Sequence, residues 1–240
     1  MNQIPLCEIK TNIDTVLGNI ASAAVLAGRT PEDISLVAAS KMNAAERVSY
    51  AVDCGIKICG ENRVQEMLEK KSLGAYGSCS LHFIGHLQRN KVKSVVGLAE
   101  LIHSADSLPL IDAISKQALS IGIVQDILLE INIAGEPSKS GFHPEDIVSV
   151  IEHCEELSGI RVRGLMAIPP ACINPEENRP FFARMRQLFV DIGAEKYDNS
   201  NMDFLSMGMS LDYQTAISCG SNMVRIGTGI FGERDYGHSL

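Results

Sequence analysis

A lysine closing a short apolar run is the first residue of this sequence whose type and place suggest chemistry. In Leu36-Val37-Ala38-Ala39-Ser40-Lys41 the alternation of a strand puts Lys41 on the same face as Val37 and Ala39. Apolar surroundings disfavour the charged ammonium, and a partly neutral amine is what condensation with a carbonyl compound requires. The same position also suits a lysine that snorkels into water from a strand end, and position alone leaves that ordinary account standing.

Two segments near the other end of the chain add to it. In FLSMGMS, Ser206, Gly208 and Ser210 share one face of a strand and Leu205, Met207 and Met209 the other; in MVRIGTGIFG, Arg225 and Gly227 oppose Val224 and Ile226. The apolar sets should pack outward and the small and polar sets inward, which leaves room for a ligand. Gly227-Thr228-Gly229 allows close backbone approach, and Thr228 and Ser210 add hydroxyls, a pattern that suits a phosphate group. Each hydroxyl alone is as well explained by local backbone capping; the placement with two glycines favours the anion. The run Gly227 to Gly232 also spells G-x-G-x-x-G. A dinucleotide fingerprint needs a helix, a strand and an acidic residue about 20 positions on, whereas residues 233–240 are all that follow.

These residues need elements to hold them. Ile9, Ile13, Val16, Leu17, Ile20 and Ala24 recur at helical spacing and predict an amphipathic helix over about 7–29. Eight apolar runs follow, at 35–41, 56–62, 81–86, 101–106, 126–133, 161–168, 204–210 and 223–230, alternating with amphipathic segments. Ser107 and His143-Pro144 mark helix starts, and Gly55, Gly122, Gly159 and Gly220 mark stops. Strand and helix in strict alternation imply a parallel sheet covered on its outer face, and eight repeats close into a (β/α)8 TIM barrel spanning about 35–232. A doubly wound open sheet is the alternative. No linker interrupts the series, so residues 1–240 are read as one α/β domain. In such a barrel the functional groups sit at the C-terminal ends of the strands, where Asn62, His86, Glu130 and Asn132 join the residues above.

Composition narrows the classes of partner. A formal charge of −8 with scattered basic residues argues against nucleic acid. Seven cysteines without C-x-x-C spacing argue against a disulfide framework and against a metal site, and point to the cytoplasm. No stretch approaches the roughly 18 uninterrupted apolar residues of a membrane span.

LVAASK, GENRVQE, LHFIGHLQRNK, EPSKSGF, RGLMAI, LSMGMSLD and MVRIGTGIFGERDY, in this order and spacing, resemble the YggS / PROSC family of pyridoxal-phosphate-binding proteins. The resemblance covers about residues 35–236, and the family is similar in fold to the barrel domain of bacterial alanine racemase. It implies pyridoxal 5'-phosphate as cofactor and Lys41 as its Schiff-base lysine. Ser210, Gly227 and Thr228 become the phosphate cradle, Arg225 faces the pyridine nitrogen, and Asn62 and Lys139 lie nearby. Arg63 stands where the family often has tyrosine, and Leu211 and Tyr213 flank Asp212 in a variable stretch, so the departures lie at the rim.

The resemblance implies a carrier that buffers or delivers the cofactor to dependent apoenzymes, with no catalytic residue. An amino-acid racemase is the alternative and needs a second base; Tyr213 and Tyr236 are the candidates, with packing or surface roles the ordinary account of both. In racemases that resemble this barrel that base comes from an added β domain, for which the sequence after the eighth run leaves no room, and a monomer or weak dimer is expected. A Schiff-base aldolase acting on a sugar phosphate is a third reading, with Glu61 and Glu130 as its proton carriers or as structural ion pairs.

Overall fold

The computed structural model describes residues 4–233. Helix α1 (Leu6–Leu26) buries Ile9, Ile13, Val16, Ile20, Ala23 and Ala24 along one stripe, as the spacing predicts. It ends at Gly28, whose φ of 71° lets the Arg29 N–H turn back to the Ala24 carbonyl at 2.9 Å.

Eight strands follow: β1 (Ser35–Ala39), β2 (Ile58–Glu61), β3 (Ser80–Phe83), β4 (Leu101–Ala105), β5 (Gln125–Ile131), β6 (Ile160–Ala167), β7 (Ser200–Ser206) and β8 (Met223–Ile226). Between them run α2 (Ala45–Asp53), α3 (Val64–Ser72), α4 (Leu108–Ser120), α5 (Ile147–Glu155), α6 (Arg179–Ala194) and α7 (Tyr213–Ser218), and α8 (Thr228–Phe231) follows β8. A 3-10 segment over Arg89–Ser94 replaces a helix between β3 and β4. All pairings are parallel and β8 closes on β1, so the sheet is a barrel and not the open doubly wound alternative.

Alternation along each strand divides the core in two. Val37, Ala39, Ile84, Leu101, Leu128, Met166 and Met223 form one buried cluster inside the barrel. Their neighbours in sequence, among them Ala38, Phe83, Ile102, Ile127, Leu129, Leu165 and Val224, join the larger cluster under the helices.

Strands β7 and β8 depart most from the sequence reading. β7 starts four residues before Phe204, because Glu155 accepts the N–H groups of Asp198 and Asn199 and the Ser200 hydroxyl and so fixes a polar segment that has no apolar run to announce it. It also ends at Ser206, so Met207 packs into the outer core while Met209 lies 37% exposed, off the helices it was expected to cover. β8 stops at Ile226, and Thr228–Phe231 coil into one helical turn where an extended run to Ile230 was expected; the Phe231 N–H returns to the Gly227 carbonyl at 2.9 Å.

The first and last helices among the described residues are tied by the buried Arg47 of α2. Its guanidinium donates to the Ile4 carbonyl at 2.7 Å and the Phe231 carbonyl at 3.1 Å, so α1 and α8 dock on the same side of the barrel. Ile13 is fully buried in that layer. Ile13→Ala should lower the unfolding free energy by about 2–4 kcal/mol in a urea titration, whereas a loss under about 1 kcal/mol would mean that α1 packs loosely.

Candidate functional site

Position of Lys41 is set by a turn. Ser40 is fully buried; its N–H donates to the Gly60 carbonyl at 2.9 Å and its hydroxyl to Glu61 Oε1 at 2.6 Å. Lys41 follows, half-buried, and the Asn43 N–H closes the turn on the Ser40 carbonyl at 3.2 Å. Met42 has φ 62°, the one positive φ of a non-glycine residue among the described residues.

The strands beside β1 bring the other candidates to the same rim. β8 pairs with β1 with Arg225 opposite Val37, and β7 adjoins β8 through Ser206 and Met223. Ser210 Oγ accepts the N–H of Gly227 at 3.3 Å and of Gly229 at 3.2 Å, so its oxygen marks the point on which two backbone donors converge and its own proton remains to be given. Gly227 has an ordinary φ of −111°, so its value lies in space: a Cβ there would stand 3.3 Å from the Ala39 carbonyl oxygen. Thr228 opens α8 with its side chain exposed to the same rim. Such a set of donors fits a phosphate. On the other side of β1, Asn62 follows β2, and its Oδ1 is buried with no hydrogen-bond partner, an acceptor left for a ligand. Lys41, Asn62, Ser210, Arg225, Gly227 and Thr228 thus lie on or just beyond four consecutive strands of the closed sheet, β7-β8-β1-β2.

Arg225 occupies the barrel interior. Its Nη1 donates to the Ser206 carbonyl at 2.9 Å and to Ser206 Oγ at 2.6 Å, and its Nη2 to the Ala167 carbonyl at 3.0 Å. Burial draws the guanidinium down to about 10, with Glu130 and Asp212 holding it up, so it stays charged at neutral pH. The network continues through His103 Nδ1, 3.1 Å from Ser206 Oγ, to His82 Nδ1, 2.9 Å from His103 Nε2. Burial lowers both imidazoles, His82 to about 4, so both are neutral at pH 7.

A cavity of about 220 Å³ opens beside Asn62 and is lined by His86, Glu130, Asn132 and Lys139 among others. Lys139 is held by Glu136 at 2.6 Å and the Ile168 carbonyl at 3.4 Å. Burial, helped by the nearby Asp106 and opposed by Arg225 and His86, pushes the Glu130 carboxyl up to about 7.

Other sequence candidates resolve differently. Glu61 points away from the mouth: it is fully buried between β2 and α3, with Lys70 Nζ at 2.7 Å and the Tyr76 hydroxyl at 3.1 Å. It is the structural ion pair of the two roles considered for it. Tyr213 is buried in the outer core and makes no second base; Tyr236 lies outside the described residues. Asp212 is also buried, accepting from the Met209 N–H at 2.7 Å and Asn178 Nδ2 at 2.8 Å, so it shapes the Ser210 loop from within.

The residues missed by sequence reasoning are instructive. His82 and His103 each occupy an inward position of an alternating strand, a signal present in LHFIGH and LIHSAD that was open to reading. Lys70 and Glu66 sit in VQEMLEKKS, an ordinary charged helix face, and only the fold shows that Lys70 is 5% exposed.

A closed parallel barrel with a lysine on the turn after its first strand and an anion cradle after its last two defines a class, that of the alanine racemase N-terminal domain, whose family profile matches residues 12–235. The chain belongs to that family, within it to the group of pyridoxal phosphate homeostasis proteins. The protein of that name from Aquifex aeolicus (strain VF5) is 44% identical over 230 residues, 96% of this chain and 99% of the relative. Among solved structures, PipY of Synechococcus elongatus PCC7942 with PLP bound superposes with a TM-score of 0.77 at 30% identity, covering 89% of this chain and 100% of its own. Alanine racemase of Clostridium difficile 630 shares the fold, with a TM-score of 0.69 at 17% identity, and matches over 57% of its length.

The Glu130 carboxyl carries a pH signature. A carboxyl raised from 4.5 to about 7 on folding keeps a proton that the unfolded chain has released, so its contribution is full below about pH 4.5 and stability falls as pH rises toward 7. Relative to Glu130→Gln, the wild type should lose about 1–3 kcal/mol between pH 4.5 and 8 in urea titrations. Parallel profiles for the two proteins would show that the fold leaves this carboxyl unperturbed.

Proposed function

We propose that this chain binds pyridoxal 5'-phosphate at the rim formed by β7, β8, β1 and β2 and acts as a non-catalytic carrier in intracellular homeostasis of that cofactor. One observation carries the reading: a lysine on the first strand's turn and a convergent set of phosphate donors on the last two strands share one rim. The relatives support the same role, since they are named pyridoxal phosphate homeostasis proteins, and so does the PLP-bound neighbour.

Each residue has a task in this reading. When bound, the cofactor would supply an aldehyde able to condense with a primary amine, with loss of water. Lys41 Nζ is that amine. Ser210, Thr228 and the N–H groups around Gly227 take the phosphate and fix its distance from Lys41, while Asn62 offers its unpartnered Oδ1 at the other edge. Arg225 would face the pyridine nitrogen. A guanidinium offers no acceptor to a proton and repels one on the facing atom, so it would keep the ring a poor electron sink and suit holding better than carbanion chemistry. A racemase would also need a second base, and the buried Tyr213 supplies none.

We further infer that the carrier works as a cytoplasmic monomer and passes its cargo to dependent apoenzymes. The seven cysteines are all free, which fits a reducing compartment. Among the described residues no helix is long and apolar enough to cross a membrane.

The test is the visible spectrum of the protein with added pyridoxal phosphate, before and after borohydride, with peptide mapping of the reduced adduct. The adduct should map to Lys41, and Lys41→Ala should lose it while its denaturation midpoint moves by no more than about 1 kcal/mol equivalent. A colourless protein, or an adduct on another residue, would remove Lys41 from its role. Ser210→Ala with Thr228→Ala should weaken binding about tenfold by loss of two hydroxyl contacts; unchanged affinity would assign the phosphate to the backbone N–H groups alone.

A further inference from the structure

Lys41 sits in a four-residue turn whose backbone is held from outside by β2 at Ser40 and by α3 at Ser40 and Met42. Ser40, Lys41, Met42 and Asn43 form a turn closed by the Asn43 N–H on the Ser40 carbonyl, with positive φ at Met42 and not at Lys41. That is the type II pattern, whose third residue is normally glycine because a side chain there meets the backbone. Methionine in that place must be held by its surroundings.

The surroundings are α3 and its neighbours. Glu66 Oε2 accepts the Met42 N–H at 2.6 Å, on the residue whose backbone is strained. Lys70 Nζ, one helical turn on, donates to the Ser40 carbonyl at 2.8 Å and to Glu61 Oε1 at 2.7 Å, and lies 3.5 Å from Glu66. Asn43 Nδ2 holds the Lys41 carbonyl at 3.1 Å. Lys70 is 5% exposed and Glu61 is fully buried, so this charge pair costs desolvation that a surface pair would avoid. A pair placed this way bears on the position of the turn more than on the stability of the fold.

We infer that α3 is a positioning element for Lys41: Glu66 and the Lys70–Glu61 pair hold the Ser40–Asn43 turn in its left-handed form and so fix where the Lys41 stem leaves the backbone. This rests on the assignment of Lys41 as the amine that takes the cofactor. A lysine stem has four rotatable bonds, and anchoring its root restricts the volume its amine searches, which raises the rate of meeting a held aldehyde.

The experiment measures the rate at which pyridoxal phosphate is captured, by absorbance after rapid mixing, with urea midpoints measured in parallel. Glu66→Ala should slow capture about tenfold, from loss of one charge-assisted hydrogen bond, and Glu66→Gln, which keeps an oxygen acceptor, should slow it less. Met42→Gly added to Glu66→Ala should recover most of the rate, because glycine adopts the left-handed form without a partner. A merely structural role for Glu66 would not be rescued by a glycine. Unchanged capture in Glu66→Ala, or a loss that Met42→Gly leaves in place, would overturn the inference while borohydride still traps the wild-type adduct on Lys41. An adduct on another residue would instead overturn the assignment of Lys41, and the inference with it.

Discussion

Pairing of β8 with β1 is the constraint on which the site depends. Lys41 and Thr228 are separated by most of the chain, and they come to one rim because Ser35 to Ala38 lie in register with Met223 to Ile226. Closure also decides which face of β8 is inside. With Val224 and Ile226 committed to the helix layer, Arg225 has to enter the barrel, and a buried guanidinium must then find acceptors. It finds them in the Ser206 and Ala167 carbonyls and Ser206 Oγ, which are themselves offered by β7 and β6. Hydrogen bonding of the interior and shape of the rim are therefore one problem with one solution.

Two pairs of buried charged groups have different consequences. Inside the barrel, Arg225 and Glu130 stand near one another, Arg225 held by the Ser206 and Ala167 carbonyls, and each is drawn toward its neutral form by burial. Outside it, between β2 and α3, Lys70 and Glu61 make direct contact, with Ser40 and Tyr76 filling further positions on the same carboxylate oxygen. The inner pair is adaptable, as a ligand cavity requires, while the outer pair is fixed, as a turn that carries a reactive side chain requires.

Much of this was legible in the sequence, and the parts that were not have physical reasons. Val37, Ala39, Ser206 and Arg225 could be placed inside the barrel because strand alternation is strict where one face is helix-covered, and the observed clusters follow that alternation. Alternation loses its meaning once a strand ends, which is why Met209 was assigned to the outer core when it lies on the rim, and why Thr228–Phe231 was read as extended when it coils. The start of β7 was invisible since Ser200-Asn201-Met202-Asp203 is held by hydrogen bonds to Glu155 and Asn222 and by little apolar burial. Glu61 illustrates a different limit. Its neighbours Gly60 and Asn62 do face inward, but the period of two sends Glu61 itself to α3, where a lysine from a charged-looking helix face waits for it.

The most direct measurement is a crystal structure of the protein grown with pyridoxal 5'-phosphate. The account predicts density continuous with Lys41 Nζ, a phosphate within hydrogen-bond reach of Ser210 Oγ and the backbone around Gly227 and Thr228, and Arg225 facing the ring nitrogen. A phosphate seated elsewhere, as in the open groove of about 780 Å³ beside His86 and Arg89, with Lys41 unmodified, would contradict it.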